Sequence, residues 1–124
     1  MLAIIIVDHG SRRAEANDAL AEIARRFAER SGHAIVEPAH MELASPTLDE
    51  AFERAVARGA TEIVVHPYFL APGRHWNEDI PALCARAAAG HPSVKWTVTE
   101  PLGISDKILD VIAERVESAR GGKR

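Results

Sequence analysis

With 124 residues, 47% of them hydrophobic and 27% charged, the sequence has the composition of one folded globular unit and none of the low-hydrophobicity signature of disorder. A formal net charge of -3 offers no basic stripe for nucleic acid. The apolar start, residues 1–7, is too short for a signal h-region with its cleavage site and far too short to span a bilayer, which argues for a cytoplasmic protein away from membranes.

Cys84 is the only cysteine, which excludes an internal disulfide and any multi-thiolate metal cluster within one chain; in the run Ala82-Leu83-Cys84-Ala85 it reads as a small buried hydrophobe. Leu2 to Val7 is an unbroken aliphatic run that suits a strand covered on both faces. From Ala14 to Arg30, Leu20, Ile23, Ala24 and Phe27 recur at helical spacing against a charged face, and Gly32 ends the helix. Ala34 to Met41 reads as a second strand, with Pro38 placing it at a sheet edge or bulge.

Ser45 or Thr47 caps a second helix whose buried stripe is Leu48, Ala51, Phe52, Ala55 and Val56, stopped by Gly59. Glu62 to Phe69 reads as a third strand and Asp79 to Ala89 as a short helix that tolerates Pro81 in its first turn. Val94 to Val98 is a fourth strand. The last helix, from about Ser105 to Ala119, is expected to bury Ile108, Val111, Ile112 and Val116 ahead of a frayed tail.

Four strands alternating with four helices predict a single α/β domain over residues 1–124: a four-stranded parallel sheet of order 2-1-3-4 with helices on both faces. In that order the switch point lies between strands one and three, so the loops after them are expected to share a ligand crevice. They carry Asp8-His9-Gly10-Ser11-Arg12-Arg13 and Gly73-Arg74-His75-Trp76. No glycine-rich phosphate motif of the G-x-G-x-x-G or G-x-x-x-x-G-K-[ST] kind is present.

A neutral imidazole at His9 or His75 is suited to ligating a divalent metal or accepting a proton, against the plainer reading of a histidine bonded within a turn. Arg74 offers a bidentate partner for a carboxylate and Trp76 a flat apolar surface. Glu42, at the exit of strand two on the same sheet edge, reads equally as an oxygen ligand, a base, a cap or a surface charge. His40 and His66 read as structural, and His33 and His91 as groups at helix ends. Arg12, Arg13 and Arg74 together suggest an acidic ligand. Ser11, two residues from His9 on a turn, is badly placed to be a nucleophile.

D-H-G-S-R-R at Asp8 to Arg13, V-E-P-A-H-M-E-L-A at Val36 to Ala44, P-Y-F-L-A-P-G-R-H-W-N-E-D-I-P at Pro67 to Pro81 and T-E-P-L-G at Thr99 to Gly103 closely resemble the small sirohydrochlorin chelatases of the class II chelatase superfamily, above all the ferrochelatases of siroheme synthesis. The resemblance implies a chelatase half-domain, paired as a homodimer over a shared cleft. It implies that His9 and His75 handle the metal and that Glu42 lines the cleft, with all three as the catalytic set. Arg12, Arg13, Arg74 and Ser11 are then candidate contacts for the substrate's carboxylates, and Tyr68 and Trp76 candidate supports for its ring.

The reaction implied is insertion of Fe(II) into sirohydrochlorin, with the metal as substrate and no cofactor permanently bound. Insertion of Co(II) or Ni(II) is the alternative, since two histidines and a carboxylate do not separate these ions. A non-catalytic tetrapyrrole or metal carrier and a flavodoxin-like phosphate binder are the readings from other classes. The sequence lacks the cysteine-bearing extension of plastid members and the histidine-rich tail of some cobalt enzymes, so neither an iron–sulfur cluster nor a metal-storing tail is expected.

Overall fold

The structure is a computed structural model that describes residues 1–71, 73 and 76–121, with the side chains of Trp76 and Asn77 excepted. Eight elements follow in strict alternation: β1 (Leu2–Asp8), α1 (Ala14–Ser31), β2 (Ile35–His40), α2 (Leu48–Ala57), β3 (Glu62–Pro67), α3 (Trp76–Ala88), β4 (Lys95–Val98) and α4 (Asp106–Ala119). The strands form one parallel sheet in the order β2-β1-β3-β4, as the alternation predicts. β1 lies inside, paired along its length with β2 and β3, which is why its sequence is aliphatic on both faces. Pro38 sits opposite Ile6 on the outermost strand, where a missing donor costs least.

The two sheet faces are unequally covered. On one, Ile5 and Val7 of β1 and Ile63 and Val65 of β3 pack against Phe52 of α2 and Ile80 and Cys84 of α3, all buried. Truncating Phe52 in such a core costs about 3–5 kcal/mol. On the other face, Ile6 meets Leu20 and Ala24 of α1, with Ile4 and Val36 at the margin. Burial pushes the Cys84 thiol up to about 12, in keeping with its reading as a core hydrophobe.

Caps set the helix ends. Gly32, at φ 80°, takes the left-handed turn that closes α1. Thr47 opens α2 with a full capping box: its hydroxyl accepts from the Glu50 N–H, and the Glu50 carboxylate accepts from the Thr47 N–H. Ser105 caps α4 by accepting from the Lys107 N–H.

Four expectations need correction. α3 begins at Trp76, so Pro81 lies inside the helix and beyond its first turn. β3 ends at Pro67, two residues before Phe69: the Tyr68 N–H still donates to the Val7 carbonyl of β1, but the Phe69 N–H turns back onto the Pro67 carbonyl. Phe27 is exposed and Ile23 only half-buried, since α1 rolls over β1 and β2 and leaves that flank uncovered. No residue of α4 is buried, and Val111, Ile112 and Val116 of its expected stripe are exposed. Among the described residues no helix is long and apolar enough to cross a membrane.

Candidate metal and tetrapyrrole site

The β1 and β2 ladder continues past the last strand residues. Met41 N–H donates to the Asp8 carbonyl at 2.9 Å and Glu42 N–H to the His9 carbonyl at 3.1 Å. Two residues 33 positions apart are thereby set side by side at the carboxyl edge of the sheet, where α/β folds carry their ligands. His9 Nε2 lies 3.3 Å from Glu42 Oε2, with the side chains 48% and 58% exposed. An imidazole and a carboxylate so placed are accessible to an incoming ion and able to hold or pass a proton.

Gly10 makes this approach possible. Its φ is 98°, and a Cβ there would lie 1.9 Å from the Glu42 carbonyl oxygen. Leu43, just beyond Glu42, is the one non-glycine residue with positive φ among those described, at 72°. A leucine in the left-handed region costs free energy, and such outliers gather where a chain must be bent for a site.

Beneath the pair lies a second one, part-buried, between His40 and Asp8. His40 is 2% exposed, and its Nδ1 lies 2.5 Å from Asp8 Oδ1. Ser11 belongs to the loop's own scaffolding: its N–H donates to Asn17 Oδ1, its carbonyl accepts from Asn17 Nδ2 and its hydroxyl accepts from the Arg13 N–H. Arg12 and Arg13 are exposed beside it on the rim.

His9, Glu42 and Met41 open into a hollow of about 630 Å³ whose far wall is α3, through Asp79, Ala82, Leu83 and Arg86. Asp79 and Arg86 line this hollow and are candidates that sequence reading missed. Their signal is the helical spacing 79, 82, 83, 86, which puts a carboxylate and a guanidinium at the two ends of one alanine-rich stripe. A second hollow, of about 560 Å³, opens beyond β3 and β4 between Phe69, Ile80 and the Thr99–Ile104 segment.

Tyr68 does not face His9; it lines an apolar groove on the α1 side of the sheet, together with His66. His66 Nδ1 is 2.8 Å from Thr99 Oγ1, and desolvation holds the imidazole below its usual value. Arg74, His75 and the Trp76 side chain lie outside the described residues. Among the described residues no cluster of three metal-ligating side chains forms, so His9 and Glu42 are a pair there.

A 2-1-3-4 parallel sheet with an imidazole and a carboxylate at the tips of its first two strands defines a small α/β protein of the chelatase fold. The chain belongs to the CbiX family, whose model matches residues 3–119. It is 51% identical over 114 residues to the chloroplastic sirohydrochlorin ferrochelatase of Arabidopsis thaliana, covering 92% of this chain and 51% of that protein. It is 32% identical to the sirohydrochlorin cobaltochelatase of Methanocaldococcus jannaschii, covering 93% of this chain and 97% of that one.

Among solved structures, SirB from Bacillus subtilis with Fe3+ superposes with a TM-score of 0.88 at 31% identity, over 95% of this chain and 47% of that one. The chain thus spans about half the length of the first two curated relatives it matches.

Proposed function

We propose that the chain inserts Fe(II) into sirohydrochlorin to give siroheme, working as a homodimer whose two copies face one another across the His9–Glu42 hollow. The observation that carries this reading is the half-exposed imidazole–carboxylate pair at the sheet edge. The 51% identity to the plant ferrochelatase supports iron as the metal.

The steps follow from the residues. An aqua ion exchanges water for His9 and Glu42, ligands of intermediate softness that release a metal more readily than a thiolate cage does. His75 is proposed to join them as the second imidazole. As the metal enters the ring, two pyrrole nitrogens lose protons, and His9 and Glu42 are the groups proposed to accept them. Arg12, Arg13 and Arg74 are proposed to hold the substrate's peripheral carboxylates, with Ser11 as a further polar contact. Trp76 is the proposed support for the macrocycle; Tyr68, on the α1 side of the sheet, is not part of that proposal. A reducing cytoplasm suits an enzyme whose substrate is ferrous iron.

Cobalt is the second reading, because the relative of matching length from Methanocaldococcus jannaschii is named a cobaltochelatase. Anaerobic metal insertion, followed by the absorption spectrum of sirohydrochlorin with Fe(II), Co(II) and Ni(II) in parallel, ranks the metals. Turnover that disappears in His9→Ala supports the assignment. No acceleration over the spontaneous rate with any metal would overturn it in favour of a carrier.

A further inference from the structure

The hollow in front of the His9–Glu42 pair is electrically uneven. Two carboxylates, Glu42 and Asp79, and one guanidinium, Arg86, line it, with Met41, Ala82 and Leu83 as the apolar surface between them. Asp79 stands in the first turn of α3, level with the carboxyl edge of the sheet where His9 and Glu42 meet. Arg86 comes two turns later, about 10 Å further along the helix axis. The hollow thus has an acidic side at the proposed metal pair and a basic side away from it.

The dipole of α3 by itself favours an acid in its first turn and a base in its last. It does not account for Asp79 and Arg86 sharing one face with Ala82 and Leu83 opposite a half-exposed imidazole. Nor is Arg86 tied down. Its Nη2 lies 3.9 Å from Asp49 Oδ2 of α2, beyond hydrogen-bond distance, and its side chain is 70% exposed. Arg58, by contrast, donates to the Glu37 carboxylate at 2.9 Å and to the Ala34 carbonyl at 2.8 Å. The Arg86 fork keeps its donors for an incoming carboxylate, and turning away from Asp49 costs little.

We infer that Arg86 anchors a peripheral carboxylate of the tetrapyrrole and that the uneven charge of the hollow orients the ring. The substrate carries its carboxylates on the rim, whereas the pyrrole nitrogens that receive the cation lie at the centre. Glu42 and Asp79 repel a rim carboxylate and Arg86 attracts it, in a geometry that admits a bidentate pair. The apolar stripe between them faces the body of the macrocycle. The ring therefore enters with one acidic arm on Arg86 and its centre turned toward His9 and Glu42. The inference rests on the proposed chelatase reading and adds the residue that sets the substrate's orientation.

The test uses the full chain under anaerobic conditions and measures three things: the dissociation constant of metal-free sirohydrochlorin from its absorption spectrum, that of Co(II) alone, and the rate of metal insertion. Arg86 is exposed, so Arg86→Ala, Arg86→Lys and Arg86→Glu should keep the wild-type circular dichroism. Arg86→Ala should weaken ring binding about tenfold or more and leave Co(II) binding unchanged. Arg86→Lys should recover part of the affinity and Arg86→Glu should lose more than alanine does. Asp49→Ala, which removes only the loose partner on α2, should bind the ring at least as well as the wild type. Ring binding unchanged in Arg86→Ala and Arg86→Glu, with insertion intact in the wild type, overturns the anchor and leaves the chelatase reading standing. An equal loss in Asp49→Ala and Arg86→Ala also overturns it, because the arginine would then act by holding α3 to α2. A wild type that neither binds sirohydrochlorin nor inserts metal overturns the chelatase reading itself.

Discussion

The 2.5 Å contact between His40 Nδ1 and Asp8 Oδ1 joins the residue directly before His9 to the residue two before Glu42. Both halves of the site are thus fastened to one part-buried polar pair. Asp8→Ala strands an imidazole that is 2% exposed, and an unsatisfied buried group of that kind costs about 1–3 kcal/mol. Urea unfolding should register that loss, and metal insertion should fall with it as His9 loses its register. Asp8→Asn, which still offers an acceptor, should lose less. An Asp8→Ala variant that melts like the wild type would show that the pair holds nothing.

Gly10→Ala and Gly59→Ala separate strain from placement. Both glycines have strongly positive φ, 98° and 103°, so either alanine costs about 1 kcal/mol or more. Only at Gly10 does the new methyl group meet a neighbour, the Glu42 carbonyl. The expected outcome is a comparable or larger stability loss at Gly10 with a collapse of turnover, set against full turnover in Gly59→Ala. Equal turnover in the two variants would argue against the close His9–Glu42 approach.

Glu42→Gln keeps the size of the side chain and removes its charge. Because the residue is exposed, thermal unfolding should not move. Insertion should slow by about 100-fold or more if the carboxylate takes a proton or a metal bond. A slope in rate against pH that persists unchanged in the variant would assign the proton transfer elsewhere.

His66 gives a prediction for acid stability. Desolvation favours its neutral form in the fold, so the folded value lies below 6.5. Its neutral state is accommodated at no penalty above pH 6.5, and stability falls as the pH drops from 6.5 toward the folded value, because the unfolded chain takes up the proton first. His66→Asn should melt with a flatter dependence between pH 7 and pH 5. Superimposable pH profiles for variant and wild type would refute the effect.

At Thr47 the capping box is the measurable feature. Thr47→Ala should cost about 1 kcal/mol in equilibrium unfolding without changing turnover. The Glu50 carboxyl is held below its ordinary value, first by the Thr47 N–H and then by Ser45, so its contribution is complete above about pH 4.5 and is lost as the pH falls through the lowered value.

Local chemistry made much of this architecture legible. Gly32 and Thr47 mark helix ends with groups that have few other uses there, and the isoleucine run of β1 announces a strand with neighbours on both sides. His9 and Glu42 could be assigned to one sheet edge because each follows a strand of a parallel sheet. Their pairing with each other is a matter of register, which no short window contains. The Asp8–His40 bond spans 32 positions and has no local signal at all. α4 shows the complementary limit: its periodicity reveals a face that seeks cover, but the periodicity is the same whether the cover comes from its own sheet or from another molecule.

Pro38 governs how copies of this chain can fail to meet. β2 is six residues long, and an imino nitrogen stands in its middle where an incoming chain would need a donor. Side-by-side growth into an endless cross-β ladder, the route by which exposed β-structure becomes fibre, is interrupted on that side by a single residue.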